Sequence, residues 1–131
     1  MGQPAAKQGD QVMATDTHIV MIPSPGGPVP TPLPHPFTGI LDGSLSPDVN
    51  IQGQPAAVQG STATNTPSHI PQGGPFQKPP ANRATVQAGS GTVLINGKPA
   101  ARHGDPCLTC NDPADVPGGT IIAAGTVMVG G

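Results

Sequence analysis

Apolar residues along this chain come in short bursts, each closed by a turn residue. Val49-Asn50-Ile51, Thr92-Val93-Leu94-Ile95 and Thr126-Val127-Met128-Val129 are compact runs rich in β-branched residues, and Gly follows each within a position or two. The longest stretch free of Gly and Pro is Asp10–Ile22. It ends in Thr17-His18-Ile19-Val20-Met21-Ile22, a β-branched run that reads as strand. No other window reaches the dozen or so residues a stable helix wants. The pattern predicts a small, turn-rich, all-β domain with no long helix.

Composition sharpens this reading. The 131 residues include 19 Gly and 19 Pro, more than twice the ordinary combined share of roughly 12%. Charged residues are 9%, the formal net charge is −2, and the aromatic side chains are two Phe with no Trp or Tyr. A nucleic-acid binder wants a basic face and stacking aromatics, and both are missing. No stretch approaches the ~20 apolar residues of a membrane span, so no stable membrane anchor is expected. Met1-Gly2-Gln3-Pro4 opens no secretory signal. Disorder combines low hydrophobicity with high net charge, and this chain is almost uncharged. Its length allows one domain, residues 1–131, with a thin core.

Internal repetition sets the organisation. Gly2-Gln3-Pro4-Ala5-Ala6-Lys7-Gln8-Gly9-Asp10 recurs as Gly53-Gln54-Pro55-Ala56-Ala57-Val58-Gln59-Gly60-Ser61 and as Gly97-Lys98-Pro99-Ala100-Ala101-Arg102-His103-Gly104-Asp105. The leading Gly permits the positive φ of a tight hairpin, the two Ala allow close backbone approach, and the closing Gly makes a second turn. A strand runs into the second and third copies, at 48–52 and 91–96, but nothing precedes the first. The C-terminal Ala124-Gly125-Thr126-Val127-Met128-Val129 resembles the strand before the third copy. We expect it to pair beside the N-terminus, closing a pseudo-threefold unit and removing an exposed edge. Between the first two copies stands a comb of prolines at 23, 25, 28, 30, 32, 34 and 36. It reads as an extended polyproline segment on the outside of the domain, or as a ligand for an SH3-like groove.

The candidate chemistry lies in four His and two Cys. His18 follows Pro4 by 14 residues and His69 follows Pro55 by 14, while Cys110 falls three residues short of the matching position, Pro113. Under threefold symmetry such positions converge on the axis, where His, His and Cys form a ready zinc site. His35, in the proline comb, is the candidate fourth ligand. His103 and Cys107 stay open as alternatives; His103 takes the place held by Gln8 and Gln59, and Cys107 forms a lone C-x-x-C with Cys110. A redox role for that pair would need a helix N-terminus to acidify the thiol. Catalysis finds little support. There is no Glu, no H-E-x-x-H or G-x-S-x-G pattern, and the Asp residues lie mainly in turns such as Gly9-Asp10, Asp42-Gly43 and Gly104-Asp105. We expect no enzyme.

The three motifs, with Pro99-Ala100-Ala101-Arg102 as the literal P-A-A-R, resemble the PAAR-repeat family over essentially the whole chain. Lys7 and Val58 stand in place of Arg, and Ser61 in place of Asp. The resemblance implies a small conical domain that caps and sharpens the trimeric VgrG-like spike of a bacterial contractile injection machine, such as a type VI secretion system. It implies an apical zinc held by three His and one Cys, mapped to His18, His35, His69 and Cys110, with iron as an alternative ion. The base would meet the spike through strands carrying Val49, Ile51, Val93, Ile95, Val127 and Val129. Effectors would ride noncovalently or on the spike, and the tip would assemble in the bacterial cytoplasm before ejection. The rival from another class is a proline-rich, metal-binding adaptor.

Overall fold

A computed structural model describes residues 2–130. Among them there is no helix. Chain order runs β1 (Gln3–Pro4), β2 (Gln11–Ile22), β3 (Val29–Gly43), β4 (Asn50–Ile51), β5 (Gln54–Pro55) and β6 (Thr62–Asn65). It continues with β7 (Arg83–Val86), β8 (Leu94–Ile95), β9 (Lys98–Pro99), β10 (Pro106–Thr109), β11 (Val116–Ile122) and β12 (Met128–Val129).

Three two-stranded ladders make the base: β4 with β5, β8 with β9, and β1 with β12. The first two are hairpins whose turns, Gln52-Gly53 and Asn96-Gly97, have positive φ at both residues (50° and 83°; 52° and 78°). That is the turn whose twist matches its strands, and Gly supplies its second residue without strain. In the third ladder the two chain ends replace the turn, with Gln3 opposite Val129 and Pro4 opposite Met128. The expected closure is therefore what the structure contains.

The motif copies interlock cyclically. Lys7 bridges to Ala56, Val58 to Ala100, and Arg102 to Ala5. Inside this ring Ala57 N donates to Ala6 O, Ala101 N to Ala57 O, and Ala6 N to Ala101 O, all at 3.0 Å. Ala6, Ala57 and Ala101 are wholly buried and face the main core, whereas Ala5, Ala56 and Ala100 join Ile51, Val129 and Ile95 in a second, basal cluster. Only a methyl group fits where three backbones meet around one axis. This is the physical content of the paired alanines.

Each motif leads into a hairpin, and the three hairpins close a six-stranded barrel in the order β10-β11-β2-β3-β6-β7. Its core holds Val12, Phe37, Leu41, Ala63, Val86, Cys107 and Ile121. The short apolar bursts of the sequence do not foretell the length of one hairpin: β2 and β3 pair over twelve positions, from Gln11↔Ile40 to Ile22↔Val29. The proline comb is also not a loose polyproline wrap. Pro30, Pro32, Pro34 and Pro36 sit at every second position of β3 and are exposed, while Leu33, His35 and Phe37 turn inward. Successive residues of a strand point their N–H groups to opposite sides, so prolines spaced by two withhold donors on one side only and leave the ladder to β2 intact. Residues 75–77 extend the sheet beside the far half of β2, where Met21 N donates to Pro75 O and Gln77 N to Ile19 O.

Candidate metal centre

Period-two alternation on β2 turns Val12, Asp16, His18 and Val20 into the barrel. Asp16 and His18 thus share one face at the end away from the base. Cys110 follows β10 directly, and His69 sits in the segment after β6. The ligating atoms of Asp16, His18, His69 and Cys110 all lie within 4.8 Å of one another. Asp16 Oδ2 is 2.9 Å from His69 Nε2 and accepts from the Cys110 thiol at 3.4 Å; Cys110 Sγ is 3.6 Å from His18 Nε2. All four side chains are buried.

His35 borders the same space. Its ring centroid is 5.5 Å from those of both His18 and His69, which are 4.8 Å from each other. Its Nδ1 bonds Leu33 O at 3.0 Å. Both phenylalanines of the chain stand against these imidazoles, Phe76 beside His18 and His35 and Phe37 beside His69. A cavity of about 250 Å³ opens next to them, lined by His35, Thr38, Asn65, Pro67, His69 and Ile70 among others.

A shell of amides and a carboxylate orients the cluster. His18 Nδ1 is buried without a hydrogen bond and lies 3.6 Å from Asp112 Oδ2, which accepts from Ile19 N at 2.9 Å. Asn82 Oδ1 accepts from His69 N (2.8 Å) and from Asn65 Nδ2 (3.1 Å). Asn111 Oδ1 accepts from Thr17 N, tying the Cys110 segment to β2. Burial holds the His18 pKa below the usual histidine range, with the neighbouring His69 adding to the shift. Burial, then the Asp16 charge, pushes the Cys110 thiol up to about 11. A buried thiol and imidazole crowded around a carboxylate are costly as they stand; a cation would satisfy all of them.

The donor set suits zinc. Zinc takes thiolate, imidazole and carboxylate ligands at about 2.0–2.3 Å in a tetrahedron, which places neighbouring donors roughly 3.3–3.8 Å apart. The Asp16–Cys110 and Cys110–His18 contacts, 3.4 and 3.6 Å, fall in that range, while Asp16 and His69 stand closer at 2.9 Å, a hydrogen-bond distance.

The structure brings together His18, His69 and Cys110, with His35 alongside. Sequence reading overlooked Asp16, yet its signal was present: two positions before His18 on a strand, it must share that residue's face. The two alternatives lie elsewhere. Cys107 is fully buried in the barrel core, at the motif-relative position of Val12 and Ala63, and burial, followed by the Asp105 charge, pushes its pKa to about 12. His103 belongs to the third motif at the base, where its Nδ1 accepts from Ala123 N at 3.1 Å.

The six strand residues expected at the base divide in two. Ile51 and Val129 are buried and Ile95 partly so in the basal cluster. Val49, Val93 and Val127 occupy equivalent positions and are 36, 37 and 41% exposed.

A family model for the PAAR motif matches residues 21–113, from the end of β2 to beyond Cys110. The first motif copy and β12 fall outside that span. None of the curated proteins matches the chain.

Proposed function

The chain belongs to the PAAR family, and from that premise we propose that it is the tip capping the trimeric VgrG-like spike of a bacterial contractile injection machine. The observation that carries this reading is the near-equal exposure of Val49, Val93 and Val127 around a cyclic base built from one chain. A homotrimer ends in three identical edges, and a pseudo-threefold monomer can answer all three at once. The basal ladders offer main-chain groups and a ring of apolar side chains to those edges.

Zinc, or iron in its place, would be held by His18, His69 and Cys110, with Asp16 and His35 bordering the fourth position. Such an ion would cross-link β2 to the segments after β6 and β10, at the end of the barrel away from the base. Structural zinc sites contribute on the order of 10 kcal/mol to the folding of small domains, comparable with a domain's whole net stability. We assign the site no reaction: four protein donors around one point describe a closed structural centre, without the open position a catalytic zinc keeps. The tip would form in the cytoplasm, ride out with the spike and carry any effector noncovalently. No helix among the described residues is long and apolar enough to cross a membrane. The adaptor reading needs prolines free to dock, and Pro30 to Pro36 are committed to β3.

Analytical ultracentrifugation of the chain with a trimeric spike protein tests the proposal. One chain should bind per trimer, and Val49→Asp, Val93→Asp and Val127→Asp together should abolish binding while the melting temperature stays near wild type. Binding by three chains per trimer, or none, would sink it.

A further inference from the structure

We propose that Pro30, Pro32, Pro34 and Pro36 guard an open edge of the barrel, and that the occupant they exclude is β3 of a second copy of this chain. The inference goes beyond the spike-tip reading and does not rest on it.

Register defines the edge. β6 covers β3 from Gly39 to Gly43. The last contacts on that side belong to Thr38, whose N–H donates to Asn65 Oδ1 at 2.9 Å and whose carbonyl accepts from Thr66 N at 3.0 Å. Among the described residues, positions 29–36 pair with β2 alone. On β2, Met21 N and Ile19 O, opposite Pro30 and Pro32, turn away from β3 to meet residues 75–77. The pairs that hold prolines are therefore the non-hydrogen-bonded ones, and Thr31, Leu33 and His35 carry the bonds to β2. Main-chain groups at 30, 32, 34 and 36 face the open side, where each offers a carbonyl and no N–H. Proline thus fills every edge-facing position from 30 to 36 and stops at Thr38, the first whose N–H has a partner.

Strand addition needs both groups. An antiparallel neighbour exchanges N–H···O bonds in both directions at each hydrogen-bonded pair, so this edge can answer only half of them. No charge would repel a second copy: residues 29–36 include no Lys, Arg, Asp or Glu, and the whole chain is 9% charged. Such an uncharged strand, given its N–H groups back, would match its own copy across a twofold axis.

Sedimentation velocity and amide exchange on the full-length chain test this, with Pro30→Thr, Pro32→Thr and Pro34→Thr combined. Pro36 is kept because it lines the cavity beside His35. The wild type should stay monomeric. The triple variant should self-associate at least about tenfold more tightly, because each regained N–H can bond across the edge. The new amides at 30, 32 and 34 should exchange slowly in the associated form and freely on dilution to monomer. A folded, monomeric triple variant would overturn the proposal. So would association that leaves those three amides unprotected, or a wild type that dimerises through β3. Should the triple variant fail to fold, Pro32→Thr alone carries the test: dimers with a protected amide at 32 support the guard, and a folded monomer overturns it.

Discussion

Gln3 lies opposite Val129 in an antiparallel ladder, so the two ends of the chain build the hairpin that each of the other motif copies makes with a turn. The ladder is tied in further by Ala5 N donating to Val127 O, and by Ser90 Oγ and Arg102 Nη1 donating to Gly130 O. A chain ending at Gly125 loses those acceptors and the buried Val129. Counting about 1 kcal/mol per hydrogen bond and about 2 for the valine, it should lose roughly 3–5 kcal/mol. Urea unfolding measures the loss, and amide exchange at Ala5 should rise by orders of magnitude.

Ala6, Ala57 and Ala101 are joined in one cycle of hydrogen bonds, all of the same length. Substitution of any one by Val should cost about 1–3 kcal/mol through overpacking. The three costs should agree closely, because the environments repeat. Denaturant midpoints of the three variants check both points; a cost confined to one position would mean that the symmetry is of backbone only.

The two thiols should behave differently. Cys107 takes the core place that Val12 and Ala63 hold in the other copies, so Cys107→Val should stay folded and keep its zinc, whereas Cys110→Ala should lose it. The native Cys107 thiol should resist alkylation at pH 8. Its raised pKa also sets a sign. The folded state holds the proton more tightly, so this contribution to stability is present below pH 9 and is lost as pH rises towards 12. Mass spectrometry after iodoacetamide treatment and melting curves above pH 9 test the pair of statements.

Burial disfavours the charged form of His18. The unfolded chain therefore binds more protons than the folded one just below pH 6.5, and stability falls as pH drops through that range. Chelator-treated protein should melt progressively lower between pH 7.5 and 5. Zinc-loaded protein should show a steeper fall over the same range, because protons compete for the ligands themselves. A melting temperature independent of pH in both forms would contradict this assignment.

Much of the architecture was legible from residue types alone. The repeated motif sets three equivalent closing turns at Gly9, Gly60 and Gly104 and a hairpin turn before the second and third copies, and the resemblance of Thr126–Val129 to Thr92–Ile95 announced the closure. Equal spacing of His18 and His69 from their motifs pointed to one end of one axis. What remained hidden depended on neighbours. The prolines of β3 look like a strand breaker until pairing with β2 shows that their missing donors all face the same outer side. Asp16 looks like one more acidic residue until the barrel closes over it and brings His69, from 53 positions away, to its carboxylate. Val49 and Ile51 stand two positions apart, as do Val127 and Val129, yet only Ile51 and Val129 are buried, because they pack against Ala5, Ala56 and Ala100 in the basal cluster. Local chemistry determined which backbone turns this chain makes. Only three-dimensional closure decided which polar groups were left facing one another without water, and that is where the chemistry of this protein resides.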